Sequence, residues 1–311
     1  MKQTHTLFKD YSQFLHEHFP FKVQKLSIDG GFGCPNCDGT KGRGGCTYCN
    51  NHAFTPVYCN SGDSIGLQIR KGMDFFGRKY PDMKYLAYFQ AHTNTYAPLD
   101  VLKQKYEEAL SHEGIVGLVI GTRPDCISPE LLDYLGSLAS HTFVMMEYGI
   151  ESTDPVVLRA INRGHDYAQS RNAVVETRRR GIHTCAHIIL GLPQASREQT
   201  LAEPAVISAL PLDILKLHQL QIVKGTVMSR QFLADPQQFK LFTTPEEYAS
   251  LVIDYIERLR PDITLERFTS QSPAEMLLAP CWGMKNYQFV ELLKKLMMQR
   301  NTWQGRLWTG A

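Results

Sequence analysis

The chain has 311 residues, 43% hydrophobic and 21% charged, the composition of a folded globular protein and too apolar for a disordered one. Lys and Arg total 33 against 31 Asp and Glu, a formal charge of +2, so no chain-wide basic field for nucleic acid or anionic lipid is built in. The N-terminus MKQTHTLFKDYSQFL lacks the apolar core of a signal peptide, and no run approaches the ~18 apolar residues that span a bilayer. A cytoplasmic protein without membrane segments is expected.

From Val23 to Leu217 short apolar runs alternate with longer amphipathic stretches. The runs VQKLSI (23–28), YLAYF (85–89), IVGLVI (115–120), FVMMEYG (143–149), HTCAHIIL (183–190) and DILKL (213–217) have strand length and almost continuous apolar character, as parallel strands covered on both faces require. Helices are predicted between them at 64–76, 99–111, 128–139, around 155–161 and 167–180, and at 196–210. Pro98, Ser128 with Pro129, and Ser196 mark helix starts, and Gly181 after three arginines marks an end. Beyond 227, helices are expected near 244–259 and 284–299, with a strand at 262–268. Six strand–helix repeats imply right-handed crossovers and a parallel α/β sheet, open and doubly wound or curved toward a barrel. Either way, ligand-binding residues gather in the loops that follow the strands.

The first of those loops is DGGFGCPNCDGTKGRGGCTYCNN, with seven glycines from Gly30 to Gly45 and four of the eight cysteines, at 34, 37, 46 and 49. In a reducing compartment such a cluster reads as a soft-metal site rather than as disulfides. Four thiols can hold structural Zn²⁺, although the middle spacing is shorter than in common zinc ribbons. Three of them, Cys34, Cys46 and Cys49, can instead hold a [4Fe-4S] cluster with one iron left open. Spacing alone leaves both open.

The pattern Cys34-x11-Cys46-x2-Cys49 with Tyr48 before the last cysteine resembles the radical SAM superfamily, and CPN, DGT and GRGGCT around it resemble its YhcC-type family, related to the catalytic subunit of Elongator. The resemblance runs from Val23 to about Thr226. It implies a partial (β/α)6 TIM-like barrel with parallel strands over 23–226, a helical lead-in over 1–22, and a C-terminal extension over 227–311 that covers the barrel. It also implies the cofactors, a [4Fe-4S] cluster and S-adenosylmethionine (SAM). In that chemistry SAM is cleaved reductively to a 5′-deoxyadenosyl radical that abstracts hydrogen from a substrate, with flavodoxin or ferredoxin as electron donor. Cys37 falls at a variable place and reads as a bystander.

The other loops are assigned on the same likeness. Thr93 and Asn94 in QAHTNT occupy the place of the SAM amino-group loop, with His92 as a substrate contact. GIES and INRGH resemble the segment in which Glu151 and Arg163 hold the cosubstrate, a carboxylate for ribose or ammonium hydrogens and a guanidinium for the methionine carboxylate. AHIILGLP resembles the strand beside adenine and brings His187. ILKLHQLQIVKGT puts Lys216 and His218 on one face of the sixth strand, His218 toward SAM and Lys216 toward substrate. GTRPDC adds Arg123 and Asp125 as substrate contacts. A tRNA base, specifically the wobble uridine, is the expected substrate. A small molecule or cofactor precursor is the alternative, and a non-catalytic zinc-stabilised binding module is a further one.

Overall fold

The computed structural model describes residues 6–310 apart from 78, 79 and 81. Helix α1 (Tyr11–His18) leads into β1 (Val23–Ile28), and strands then alternate with helices: α2 (Ile65–Gly77), β2 (Lys84–Phe89), α3 (Leu99–Leu110), β3 (Ile115–Thr122), α4 (Pro129–Ala139), β4 (Phe143–Glu151), α5 (Pro155–Ala160), α6 (Tyr167–Arg179), β5 (His183–Leu190), α7 (Arg197–Ser208) and β6 (Ile214–Gln219). The expected starts hold. Ser128 and Ser196 cap α4 and α7 through their hydroxyls, and Gly181 takes φ +74 where a side chain would be strained.

The C-terminal part continues with β7 (Ile222–Val223), α8 (Val227–Ala234), α9 (Pro245–Ile256), β8 (Thr264–Arg267), β9 (Leu277–Ala279) and α10 (Asn286–Gln299). One sheet holds seven parallel strands in the order β1-β2-β3-β4-β5-β6-β8, and β7 pairs with β9 apart from it. The sheet therefore has one strand more than the six repeats predict. The extra strand lies inside the strand expected at 262–268, and its Thr264 sits in register with Ile214 of β6. The C-terminal region thus contributes an edge strand of the barrel.

The sheet is curled. In a flat seven-stranded sheet the outer strands would stand roughly 29 Å apart at the usual strand spacing, yet Lys25 Nζ of β1 lies 2.7 Å from the Glu266 carboxylate of β8. Only a half-barrel with its edges turned toward each other allows that contact. Side chains of one parity face the lumen. At its N-terminal end Val23, Leu86, Val119, Met145 and Ile214 form an apolar layer, which Phe14 and Phe19 of α1 and its flank seal. Leu265 N–H donates to Lys9 O at 2.8 Å, so the segment before α1 runs along the β8 edge. The opposite parity, including Leu26, Phe89, Ile120, Met146 and Ile188, packs under the helices in the main core.

Because Phe14 is only 4% exposed and plugs one end of the lumen, Phe14→Ala is expected to cost about 3–5 kcal/mol, seen as a lower urea midpoint at unchanged slope. Leu233→Ala, at 69% exposure, should stay within about 0.5 kcal/mol.

Candidate functional site

The cysteine loop leaves β1 and folds across the strands' C-terminal ends. It turns on itself through Cys37 N to Cys34 O at 2.9 Å and Gly45 N to Asn36 O at 2.9 Å. Gly42 has no alternative, since a Cβ there would stand 2.1 Å from Asn36 Oδ1. Asn36, fully buried, donates to Asn162 O at 2.6 Å and to Cys46 Sγ at 3.6 Å. Asn162 answers with its amide to Gly45 O at 2.8 Å. These two asparagines dock the loop on the turn after α5. Neither stood out as a candidate in the sequence, where they read only as motif neighbours.

Cys46 is buried and Cys34 half-buried. All four thiols line one cavity: burial, then Cys46 and Cys34, push Cys49 up to about 12, and burial, then Cys34, push Cys37 up to about 11. Both are therefore neutral thiols as they stand, and a bound soft cation is what would let them ionise. Arg163 stands over them, donating from Nη1 to Cys46 Sγ at 3.5 Å and from Nη2 to Gly149 O at 2.5 Å, with Glu151 3.7 Å away. Its Nε–H and the Nη1 hydrogens of Arg123 are buried without a hydrogen-bond partner among the described residues. Buried guanidinium hydrogens left unpaired are costly, and at this place they fit the carboxylate of an amino-acid-like ligand. Glu151 and His92, both non-glycine, hold positive φ of 70 and 62, so two of the loops facing these thiols carry backbone strain.

Of the predicted site residues, all but Asn94 and Asp125 line one cavity of about 710 Å³. Asn94 spends its amide hydrogens on Phe89 O at 3.1 Å and Gly121 O at 2.7 Å, bracing the loop from behind. Asp125 grips Arg123 through two bonds of 2.9 and 3.1 Å and takes Lys41 at 3.0 Å. Burial would raise its pKa, but Arg123 and Lys41 hold it down to about 2. Arg123 lines the cavity, and its Nη1 is buried without a hydrogen-bond partner among the described residues. Cys37 lines the same cavity as the other three thiols.

Below the loops lies a buried ionic floor centred on Glu147, which the sequence reading did not single out. Lys25 Nζ reaches Glu147 Oε1 at 2.5 Å, while Lys216 Nζ and His187 Nε2 reach Oε2 at 2.7 and 3.0 Å. Glu266 takes Lys25 and, at 3.2 Å, Lys216. Burial opposes every charge here, yet the lysines hold Glu147 well below the usual carboxylate range, and the carboxylates raise both lysines. Lys216 is therefore neutralised by protein groups. Glu147, Cys185 and His187 bring potential ligand atoms within 4.8 Å of one another, but the ammonium groups occupy both carboxylate oxygens, so a metal ion has no place there. The available signal was a lone acid inside FVMMEYG, on the inward parity of a strand otherwise apolar.

Residues 37–202 match the Radical SAM superfamily and residues 212–299 the Radical_SAM C-terminal domain. Protein YhcC of Escherichia coli (strain K12) is 37% identical over 263 residues, covering 84% of this chain and 82% of that protein. The tRNA uridine(34) acetyltransferase of Dehalococcoides mccartyi is 28% identical over 118 residues, 37% of this chain and 25% of that protein. Among solved structures, Elp3 of the archaeon Methanocaldococcus infernus superposes with a TM-score of 0.67 at 16% identity, covering 91% of this chain and 64% of that one. The chain belongs to the radical SAM superfamily and is a radical SAM enzyme, which sets aside the non-catalytic zinc module. No helix among the described residues is long and apolar enough to cross a membrane.

Next to Glu151, the backbone is pinned by Glu203 of α7, whose carboxylate accepts from Thr153 N at 2.8 Å and from the Tyr255 hydroxyl at 3.2 Å. Burial pushes this carboxyl up to about 7 from an ordinary 4.5. A raised pKa in the folded state means its favourable contribution is complete below about 4.5 and is lost as pH rises through 7. Wild type should lose ~3 kcal/mol between pH 5 and 8 through this group, and Glu203→Gln should flatten that slope in pH-resolved urea melts.

Proposed function

We propose that Cys34, Cys46 and Cys49 hold a [4Fe-4S] cluster, that the adjoining cavity binds SAM, and that the substrate is a tRNA base, the wobble uridine. The observation that carries the reading is that Cys34, Cys46 and Cys49 line one cavity beside a buried guanidinium that is bonded to Cys46 and has its Nε–H unpaired. Bound there, the two cofactors supply one-electron reductive cleavage of a carbon–sulfur bond and the hydrogen-abstracting radical that results. The chain's own groups bind and orient. Arg163 offers Nε–H to the ligand carboxylate while Nη1 and Nη2 stay on Cys46 and Gly149. Glu151, fixed by its strained backbone and by Arg163, accepts hydrogens from ammonium or ribose. Thr93, Tyr48, His187 and His218 lend the walls of the same cavity, with Arg123, His92 and Lys216 on the substrate side. Sealing by α1 keeps water from entering through the barrel's lower end.

The tRNA reading is supported by the partial likeness to a protein named as a tRNA uridine(34) acetyltransferase. The electron donor is a small redox protein of the flavodoxin or ferredoxin class. Residues 227–311 act as the cover of the substrate side, in addition to supplying β8.

Protein isolated without oxygen should be brown, carry ~4 irons per chain, and release 5′-deoxyadenosine from SAM on reduction. Cys34→Ala, Cys46→Ala and Cys49→Ala should each abolish iron loading and Cys37→Ala should preserve it. Colourless protein with one tightly held zinc would overturn the cluster. For the substrate, nucleoside mass spectrometry of tRNA from a deletion strain should show one uridine derivative lost. An unchanged profile would direct the search to small molecules.

A further inference from the structure

Strand β8 breaks the alternation of its side chains. It pairs Thr264 with Ile214 and Leu265 with Leu215, then Arg267 with Lys216, so Glu266 is an extra residue in the register. Such a bulge re-aims a side chain, here onto the face of its neighbour. Leu265 and Phe268 are both buried in the core beneath the helices, which leaves Glu266 and Arg267, between them, on the lumen side. Glu266 meets Lys25 at 2.7 Å and Lys216 at 3.2 Å, and Arg267 lines the same cavity.

The two bulge residues differ in one respect. Glu266 is neutralised by lysines, whereas Arg267, exposed on the edge strand, has no hydrogen bond or ion pair among the described residues. The acids that line the cavity are engaged elsewhere: Glu147 and Glu266 by the lysines, Glu151 by Arg163 at 3.7 Å, and Asp29 by Gly31 N at 2.9 Å. Beside Arg267 stands Asn286, whose Oδ1 accepts from Phe268 N at 3.2 Å, Thr269 N at 3.3 Å and the Thr269 hydroxyl at 3.2 Å. Those three donors fix which end of the amide is oxygen. The Nδ2 hydrogens then point away from them, with no acceptor among the described residues, and Asn286 lines the cavity. The nearby His218 ring is held by the Ser270 hydroxyl at 3.0 Å, and burial, then His187 and Arg267, keep its pKa well below the ordinary value. This side of the chamber thus presents a guanidinium and an amide donor, and no free acid.

We propose that Arg267, with the Asn286 amide beside it, is the anion anchor of the substrate chamber, and that the part of the substrate bound there carries an oxyanion, a carboxylate or a phosphate. A guanidinium offers paired N–H donors whose spacing matches two oxygens of such a group. Arg267 is separate from the grip assigned to SAM: β8 lies three strands along from β4, roughly 14 Å along the sheet at the usual spacing. The assignment rests on the cavity being the substrate chamber of the proposed radical enzyme, and it adds the charge of what enters.

Two probe pairs test this by calorimetric titration into cluster-loaded protein at saturating SAM without reductant. Uracil and orotate are one ring without and with a carboxylate; uridine and uridine 5′-monophosphate differ by a phosphate. In wild type at least one charged probe should bind roughly tenfold tighter than its uncharged counterpart, as a hydrogen-bonded ion pair supports, and the difference should shrink at high salt. Arg267→Gln should bring the pair to parity, with the uncharged probe and SAM bound as in wild type, and Arg267→Lys should keep part of the preference. A preference for orotate assigns the anion to the ring, and one for the monophosphate assigns it to the backbone; either upholds the anchor. Wild type that favours neither charged probe, a preference that survives Arg267→Gln, or a loss of SAM affinity in that variant overturns it. Protein that loads no iron or binds no SAM overturns the radical-enzyme reading and the anchor together, whereas loaded protein without the preference overturns the anchor alone.

Discussion

The contact between the first and last strands of the sheet is the constraint from which the rest follows. Lys25 and Glu266 meet at 2.7 Å across the open side of the half-barrel, and Glu147 of the central strand stands between them and Lys216. Such buried ion pairs are weak evidence for stability, because desolvation offsets most of their attraction. They are strong evidence for shape. Four charges in one layer can coexist only if the curl brings β1, β4, β6 and β8 around a common centre, and leaving any one unpaired would cost several kcal/mol. The curl in turn fixes the lumen, its apolar plug of Phe14 and Phe19 below and its cavity above.

The cysteine loop depends on that frame from the other end. It contains no regular structure between Asp29 and Asn50, so its shape comes from side chains that reach backbone: Asn36 and Asn162 exchange amide bonds with each other's segments, and Arg163 ties a thiol to the end of β4. Buried amides of this kind specify one loop geometry because each lost bond leaves a polar group stranded. The positive φ of Glu151 and His92 is sustained by the same anchoring. Asn51 holds His92 N at 3.0 Å, and Glu203 fixes Thr153 two residues past Glu151.

Much of this was legible in the sequence. The six apolar runs coincide with β1 to β6 because strands covered on both faces carry a dense local signal, and period-two alternation placed Lys216 and His218 together on the lumen face. The seventh strand is harder to read: Thr264–Arg267 is four residues long and half polar, and its place in the sheet depends on pairing with β6 across two intervening helices. Asn94 and Thr93 are adjacent in a polar loop, and nothing local says that Thr93 faces the cavity while Asn94 turns back onto carbonyls. The role of Lys216 was illegible for a different reason. Its neutralising partners Glu147 and Glu266 lie 69 residues before it and 50 after it in the chain, and only the curl brings them within reach.

The distribution of charge along the lumen is itself informative. At the loop end, Arg123 and Arg163 present buried N–H groups with no acceptor, and two guanidiniums in a low-dielectric rim attract negative charge strongly. One strand layer lower, the lysines are cancelled and a histidine is held by a carboxylate. The cavity thus differs along the strand axis, with unpaired guanidinium N–H groups at the rim and lysines paired to glutamates one layer lower. The chain's net charge of +2 gives no hint of this. Which cations are paired and which are not depends on position relative to the sheet, and only the folded arrangement of Glu147 and its neighbours determines it.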